Sequence, residues 1–218
     1  MALFNPVELA LREQFATPAQ QRETTTFGMW IFLATEVLFF GALFTSYAVY
    51  RTYYTHAFTT GSEDMNLVLG AINTAVLITS SLTMALSIHS IATGKEARAV
   101  VYLLATIVIG AVFLGIKFTE YYQHYMDLKA PGLNFYSPDP AAGQVELFFV
   151  FYFVMTGLHA VHMIIGICIL GILVARTVGG SFTSEYYTPI EATGLYWHFV
   201  DIVWVFLYAI FYLPGVHK

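Results

Sequence analysis

Charged residues in this sequence cluster in short segments that are separated by long apolar runs. A bilayer core about 30 Å thick requires about 20 apolar residues in a helix, and irregular backbone cannot face lipid. The runs therefore predict an all-α polytopic membrane protein. Its five transmembrane helices are expected at about 27–50, 67–92, 99–119, 145–175 and 193–213.

Composition agrees with a membrane protein and excludes several other classes. Hydrophobic residues make up 58% of the chain and charged residues only 11%, which is too apolar for an ordinary soluble domain. Residues 1–26 form a polar segment without the apolar core of a secretory signal, so 27–218 is expected to be the membrane domain. The net charge of −5 includes no basic block, which argues against nucleic acid binding. The single cysteine, Cys168, excludes intrachain disulfides, iron-sulfur clusters and a two-cysteine copper centre.

The distribution of Lys and Arg between the two sides barely favours one orientation. With a cytoplasmic N terminus, five of these residues lie on the cytoplasmic side and four on the other. Arg51 and Lys117 fall at predicted helix ends, where their side chains are expected to reach towards the interface. Charge alone leaves the orientation undecided.

Glu36 is the one charged residue inside the first predicted helix. It lies nine residues after Phe27, about 13 Å along a helix and close to mid-membrane. An acid at this depth costs about 2.5–3.5 kcal/mol, and an ionisable residue within a span is by default a candidate functional site. A neutral Glu36 that only hydrogen-bonds a neighbouring helix is an equally weighted interpretation.

His159 and His162 are three residues apart and point to one face of the fourth predicted helix. Two histidines can begin a metal site, but zinc, copper or haem would need further ligands on facing helices. We therefore favour structural histidines, bonded to Glu36 or to a backbone carbonyl, and predict no metal.

Two further helices carry polar or aromatic faces that are expected to meet other helices. The second helix is rich in Ser, Thr and Asn, too many polar groups to leave facing acyl chains. On the fifth helix aromatic residues recur at helical spacing, and a His lies one turn before an Asp. A subunit interface is the favoured interpretation over a proton path. The interface residues predicted from these faces are Asn73, Ser80, Ser81, Trp197, His198, Asp201 and Trp204.

Five motifs in order along the chain resemble subunit III of the haem-copper respiratory oxidases, in its short five-helix form. The longest is GMWIFLATEVLFF at 28–40, which is similar to that family's first helix. The others are the Leu-Gly, Asn-Thr and Ser-Ser pairs of 69–81, Glu-Tyr at 120–121, GLHAVH at 157–162 and YWHFVDIVW at 196–204.

The resemblance implies a fold and a set of partners. The expected fold is a five-helix bundle with a V-shaped cleft that holds phospholipid. The expected location is the bacterial cytoplasmic membrane, with the N terminus in the cytoplasm. The expected partners are oxidase subunits I and II, in some cases within a larger respiratory supercomplex. Haem and copper are expected in those subunits and not in this chain.

The resemblance also implies a role without catalysis. The chain is expected to support proton uptake and to protect the catalytic subunit of a proton-pumping oxidase that reduces dioxygen to water. Glu36 matches the family's membrane-embedded glutamate, and it is grouped with Trp30, His159 and His162 as a predicted proton-uptake or lipid-cleft site. The electron donor, cytochrome c or quinol, is not readable from this chain.

Three alternatives stay open at this point. One is the related accessory protein of nitric oxide reductases, which shares the short architecture. Another is a membrane anchor that binds b-type haem through His159 or His162 together with His198. The third is a transporter, which the lack of proline within the predicted spans makes less attractive.

Overall fold

A computed structural model describes residues 14–216 as a bundle of helices. No strand occurs in this part of the chain. A short 3₁₀ turn, Pro214–Val216, follows the last helix. The six α-helices are α1 Pro18–Tyr53, α2 Thr55–Glu63, α3 Leu67–Ala92, α4 Glu96–Met126, α5 Ala142–Val178 and α6 Thr188–Tyr212.

Five of these helices, all except α2, are long and apolar enough to cross a membrane. The prediction of an all-α protein with five transmembrane helices is therefore confirmed. Part of the predicted polar segment 1–26 lies outside the described residues, but its last third belongs to α1. Thr17 caps that helix by accepting a hydrogen bond from the Gln20 amide at 3.2 Å, and Pro18 occupies the first turn, where no amide donor is needed.

Helices α1 and α4 extend well past their predicted ends, and α5 extends by three residues at each end. The 36 residues of α1 correspond to a length of about 54 Å, more than a bilayer core requires. Similarly, α4 continues to Met126 and α5 covers 37 residues. Charged residues end an apolar run, but they do not end a helix, because a helix can project beyond the hydrocarbon core.

The bundle has a tight centre and one looser edge. Helices α3 and α4 pack closely on each other, and α6 packs against α3 and α5. Helix α1 lies at the edge, mainly against α6 and less against α5. Most of its side chains are exposed, which leaves a groove between α1 and α6.

Helix α2 and the final 3₁₀ turn close one end of the bundle, in a region predicted only as a connection. The Phe58 ring is buried against Phe148, with ring centroids 5.7 Å apart. The Ser62 hydroxyl donates to the Phe211 carbonyl at 2.7 Å and accepts from the Gly215 amide at 3.0 Å. These contacts attach α2 to α5, α6 and the 3₁₀ turn.

Candidate functional site

Glu36 and His162 form a polar contact between α1 and α5. Glu36 lies near the midpoint of α1 and His162 near the midpoint of α5. The Glu36 Oε2 atom is 3.1 Å from His162 Nε2, and the two side chains are only 17% and 15% exposed. Phe40 and Phe39 pack beside the imidazole, with centroid distances of 5.3 and 6.5 Å. The pair is therefore a hydrogen-bonded acid and base within the apolar part of the chain.

The contact of the second ring nitrogen of His162 determines which nitrogen carries a proton. Its Nδ1 atom is 2.7 Å from the Leu158 carbonyl, which can only accept, so Nδ1 carries the proton. Nε2 then either accepts from a neutral Glu36 or donates, as imidazolium, to the Glu36 carboxylate. In both forms one proton lies between the two side chains. The predicted alternatives for a structural histidine, a bond to Glu36 and a bond to a carbonyl, are both present at His162.

His159 does not join this pair. It is 1% exposed and lies between Phe113 and Trp204, with ring centroids 5.5 and 5.3 Å away. Neither ring nitrogen has a hydrogen-bond partner within residues 14–216. His159 is therefore a packed core side chain in this structure.

Trp30 lies in the groove between α1 and α6, which we call the α1–α6 groove. The groove has two adjoining sections of about 830 and 630 Å³, and both are lined almost entirely by apolar side chains. Val37 and Phe199 line both sections, Arg51 lies in the larger, and Trp30 lies in the smaller. Glu36 turns instead towards α5, so the structure brings Glu36 and His162 together but separates them from Trp30.

Four of the predicted interface residues are buried within the bundle itself. They are Asn73, Ser80, Trp197 and Trp204, none more than 1% exposed. The Trp197 indole donates to Ser80 Oγ at 3.0 Å, and the Trp204 indole donates to Thr74 Oγ1 at 3.1 Å. The polar face of α3 therefore meets other helices, as expected. A role of these four in a subunit interface stays a prediction.

The other three predicted interface residues meet between α3 and α6. Ser81 Oγ is 2.7 Å from His198 Nδ1, and both residues line a pocket of about 200 Å³ together with Asp201. Asp201 is 7% exposed. Ser81 lies beside its carboxylate, but neither carboxylate oxygen meets the geometry of a hydrogen bond within the described chain.

Sequence reasoning missed a buried ionic cluster formed by Lys117, Glu120, Tyr152 and Tyr212. Lys117 Nζ donates to Glu120 Oε2 at 2.9 Å, to Tyr152 at 2.8 Å and to Tyr212 at 3.0 Å. The Tyr212 hydroxyl in turn donates to Glu120 Oε1 at 2.5 Å. All three ammonium protons and both carboxylate oxygens therefore have partners.

The expectation that Lys117 reaches towards the interface is wrong. Both Lys117 and Glu120 are 2% exposed, because α4 continues past them and aromatic residues of α5 and α6 surround them. The signal available in the sequence was the Lys–Glu spacing of three residues, which places both on one helix face. The aromatic partners come from distant segments and could not be read from that spacing.

Within residues 14–216, no three His, Cys, Asp or Glu side chains form a group that could hold a metal ion. These features define a class: a polytopic helical membrane protein with an acid–imidazole pair midway along two of its spans and a lateral apolar groove. The chain belongs to the cytochrome c oxidase subunit III family, whose sequence model matches residues 13–216.

Relatives from bacteria and animals agree with this assignment. The chain is 30% identical to subunit 3 of the cytochrome bo(3) ubiquinol oxidase of Pseudomonas aeruginosa, over 88% of this chain and 85% of that protein. It is 34% identical to cytochrome c oxidase subunit 3 of Branchiostoma lanceolatum, over 86% of this chain and 68% of that protein. An alignment at 38% identity with the Cyprinus carpio subunit 3 covers 66% of this chain and about half, 49%, of that protein. The chain is thus an integral membrane subunit of the oxidase type.

Proposed function

We propose that this chain supports proton uptake and stability of the catalytic subunit in a haem-copper terminal oxidase that reduces dioxygen to water. In this proposal the chain carries no redox centre, and its partners are oxidase subunits I and II. The observation that supports it most is the Glu36–His162 contact at 3.1 Å. The electron donor differs among the relatives, since one is named a ubiquinol oxidase subunit and others cytochrome c oxidase subunits.

The chemistry of the pair fits a proton-holding role. Because His162 Nδ1 is engaged by the Leu158 carbonyl, proton movement is confined to the Glu36–Nε2 hydrogen bond. A proton that arrives at Glu36 can pass to Nε2 without any change in the ring's orientation. The Glu36 side chain is 17% exposed, so the bundle does not enclose it completely.

We expect Glu36→Ala to leave the oxidase complex assembled but to make its activity decay severalfold faster during sustained turnover. The physical reason is the loss of the group that shares a proton with His162. The measurement is oxygen consumption by the purified complex over many turnovers, together with the rate of proton uptake. Thr35→Val is the matched control, because Thr35 is exposed on the same helix and its hydroxyl bonds only the Phe32 carbonyl.

Several outcomes would contradict the proposal. Unchanged decay in Glu36→Ala would remove the role of the pair, and equal decay in Thr35→Val would make the effect nonspecific. A Soret band in the purified chain, lost on replacing His159, His162 or His198, would instead favour a haem anchor. A complex that reduces nitric oxide and not dioxygen would favour the nitric oxide reductase alternative.

The α1–α6 groove is proposed to hold a structural phospholipid. Its larger section has a volume of about 830 Å³ and an apolar lining, and the half-buried Arg51 lies at its end near α2. A guanidinium at this position suits a phosphate group while the apolar walls suit acyl chains. The orientation that fits the resemblance has the N terminus in the cytoplasm and Arg51 on the opposite side.

We expect Arg51→Gln to lower the number of phospholipids that co-purify with the complex. The reason is the loss of the charge-assisted contact to phosphate, while the apolar walls remain. Native mass spectrometry of the gently solubilised complex provides the count. Lys95→Gln serves as the control, because Lys95 is an exposed cation away from the groove. Equal lipid counts in the two variants would argue against headgroup binding by Arg51.

A further inference from the structure

The pocket of about 200 Å³ between α3 and α6, which we call the α3–α6 pocket, contains a buried carboxyl group. Four apolar side chains line the pocket together with Thr74, Ser81, His198 and Asp201. Asp201 is 7% exposed, and neither of its carboxyl oxygens has a hydrogen bond within residues 14–216. Ser81 lies beside this carboxyl group, and its Oγ atom is 2.7 Å from His198 Nδ1. The pocket therefore places an acid, a hydroxyl and an imidazole next to one another.

We propose that the α3–α6 pocket is a second proton-holding site of the bundle, in which Asp201 is a neutral acid that shares its proton with His198 through Ser81. The Glu36–His162 pair is a different site, because it joins α1 to α5. This inference goes beyond the proposed function and does not depend on it.

The surroundings of Asp201 favour a neutral acid because they offer no opposite charge. Asp201 is thirteen residues after Thr188 and eleven before Tyr212, about 20 and 17 Å along α6, so it lies near the middle of this span. Among residues 14–216, the side chains that line the pocket include no Lys or Arg, and His198 is the other titratable one. An ionised, unpaired carboxylate at this depth would carry the full cost of burying a charge. Binding one proton removes that cost.

Titratable groups on the other helices contact different parts of the bundle. On α4 and α5, Lys117 and His159 contact the Trp204 ring. On α1, Glu36 contacts His162 of α5. None of these four titratable side chains lines the α3–α6 pocket. His198 is therefore the group with which Asp201 can exchange a proton.

The three polar side chains can form one continuous chain of hydrogen bonds. In the neutral form the Asp201 O–H donates to Ser81 Oγ, and the Ser81 O–H donates to an unprotonated His198 Nδ1. The terminal torsion of an aspartate side chain is soft, so rotation of the carboxyl group can align the first of these bonds. If the Asp201 proton passes to Ser81 Oγ while the Ser81 proton passes to Nδ1, a carboxylate and an imidazolium result, with no change in net charge. The neutral form is favoured at this depth because it separates no charge.

Infrared spectroscopy of the full-length chain in lipid nanodiscs tests the proposal, because a neutral carboxylic acid gives a C=O band that a carboxylate lacks. At neutral pH we expect such a band to shift when the aspartates are labelled with ¹³C and to be lost in the isosteric variant Asp201→Asn. The other aspartates, Asp64, Asp127 and Asp139, lie outside the five spans. Labelling requires no substitution, so it decides the question even where Asp201→Asn does not fold.

Two substitutions on α3 then test the hydrogen-bond chain. Ser81→Ala is expected to move the Asp201 C=O band to a higher frequency, because the acid loses the oxygen to which it donates. Thr79→Val is the matched control, since Thr79 is exposed and its hydroxyl donates to the Ala75 carbonyl at 2.9 Å. We expect this control to leave the band where it is in the unsubstituted chain.

Two results would overturn the inference. The absence of a ¹³C-sensitive acid band at neutral pH would mean that Asp201 is ionised and holds no proton. An acid band at the same frequency in Ser81→Ala and in the unsubstituted chain would mean that Asp201 does not share its proton with His198 through Ser81. Neither result affects the proposed function, which is tested by turnover of the Glu36→Ala complex.

Discussion

Replacing Lys117 with methionine is expected to destabilise the chain by about 3–5 kcal/mol, the cost of removing one partner from a buried ion pair. Lys117 and Glu120 are each 2% exposed, and their atoms Nζ and Oε2 are 2.9 Å apart. Without the ammonium group, Glu120 keeps one hydrogen bond, from Tyr212, and the His124 Nε2 atom lies 4.0 Å from its Oε1 atom. The Glu120 carboxylate would then lack its ammonium partner and have almost no access to water, so the expected loss of stability is large.

The double variant Lys117→Met/Glu120→Gln separates the charge from the packing. Removing both charges eliminates the unpaired carboxylate, so we expect the double variant to recover a large part of the stability lost in Lys117→Met. The measurement is unfolding of the full-length chain in mixed micelles with increasing sodium dodecyl sulfate. Lys95→Met is the control and should change the free energy of unfolding by about 0.5 kcal/mol or less, because Lys95 is exposed. A double variant less stable than Lys117→Met would show that the ion pair is not the source of the effect.

The two polar sites differ in what they link. The ionic cluster joins α4, α5 and α6, and every donor of Lys117 is engaged. The Glu36–His162 pair joins α1, the edge helix, to α5, and both side chains keep some exposure. A buried network in which every polar group is hydrogen-bonded favours rigid packing. A partly exposed pair at the edge of the bundle is better placed to exchange a proton. This difference is why we assign a structural role to the first and a functional role to the second.

The number of spans could be predicted because bilayer thickness acts on composition alone. An apolar run must be helical wherever it is surrounded by lipid, whatever the rest of the fold is. The ends of the helices could be predicted less reliably from the positions of charged residues. The start of α3 agrees with its predicted position because Asn66 caps it there, with Oδ1 accepting from the Leu69 amide at 3.0 Å. No comparable stop exists after Lys117, so α4 continues to Met126.

The hydrogen-bond partner of a polar residue could be predicted from the sequence only where few other polar residues were available to it. Glu36 is the single charge in its run, so a histidine on a neighbouring helix was a natural partner, and His162 is that partner. The sequence could not choose between His159 and His162, because they share one helix face. That choice depends on where α1 crosses α5, and His159 is turned instead towards Phe113 and Trp204.

The packing of Trp197 leads to a prediction that concerns two glycines. The buried indole lies between α4 and α5, where a Cβ atom on Gly110 would be 3.0 Å from Trp197 Cη2 and one on Gly166 would be 2.9 Å from Cζ3. The indole N–H also reaches Ser80 on α3. One side chain of α6 therefore contacts three other helices, and both close approaches require glycine. The indole is rigid, so an added methyl group has to displace a helix.

We expect Gly166→Ala to destabilise the chain by about 1–3 kcal/mol, the typical cost of overpacking a core. Gly171→Ala is the matched control on the same helix, because no atom lies within 4 Å of its added Cβ, and it should gain up to about 1 kcal/mol from helix propensity. In a Trp197→Phe background the smaller ring removes the clashing atoms, so Gly166→Ala should there cost much less than in the original chain. Unfolding in mixed micelles measures all four variants. Equal costs in both backgrounds would mean that Gly166 is needed for a reason other than contact with the indole, since only the indole atoms differ between them.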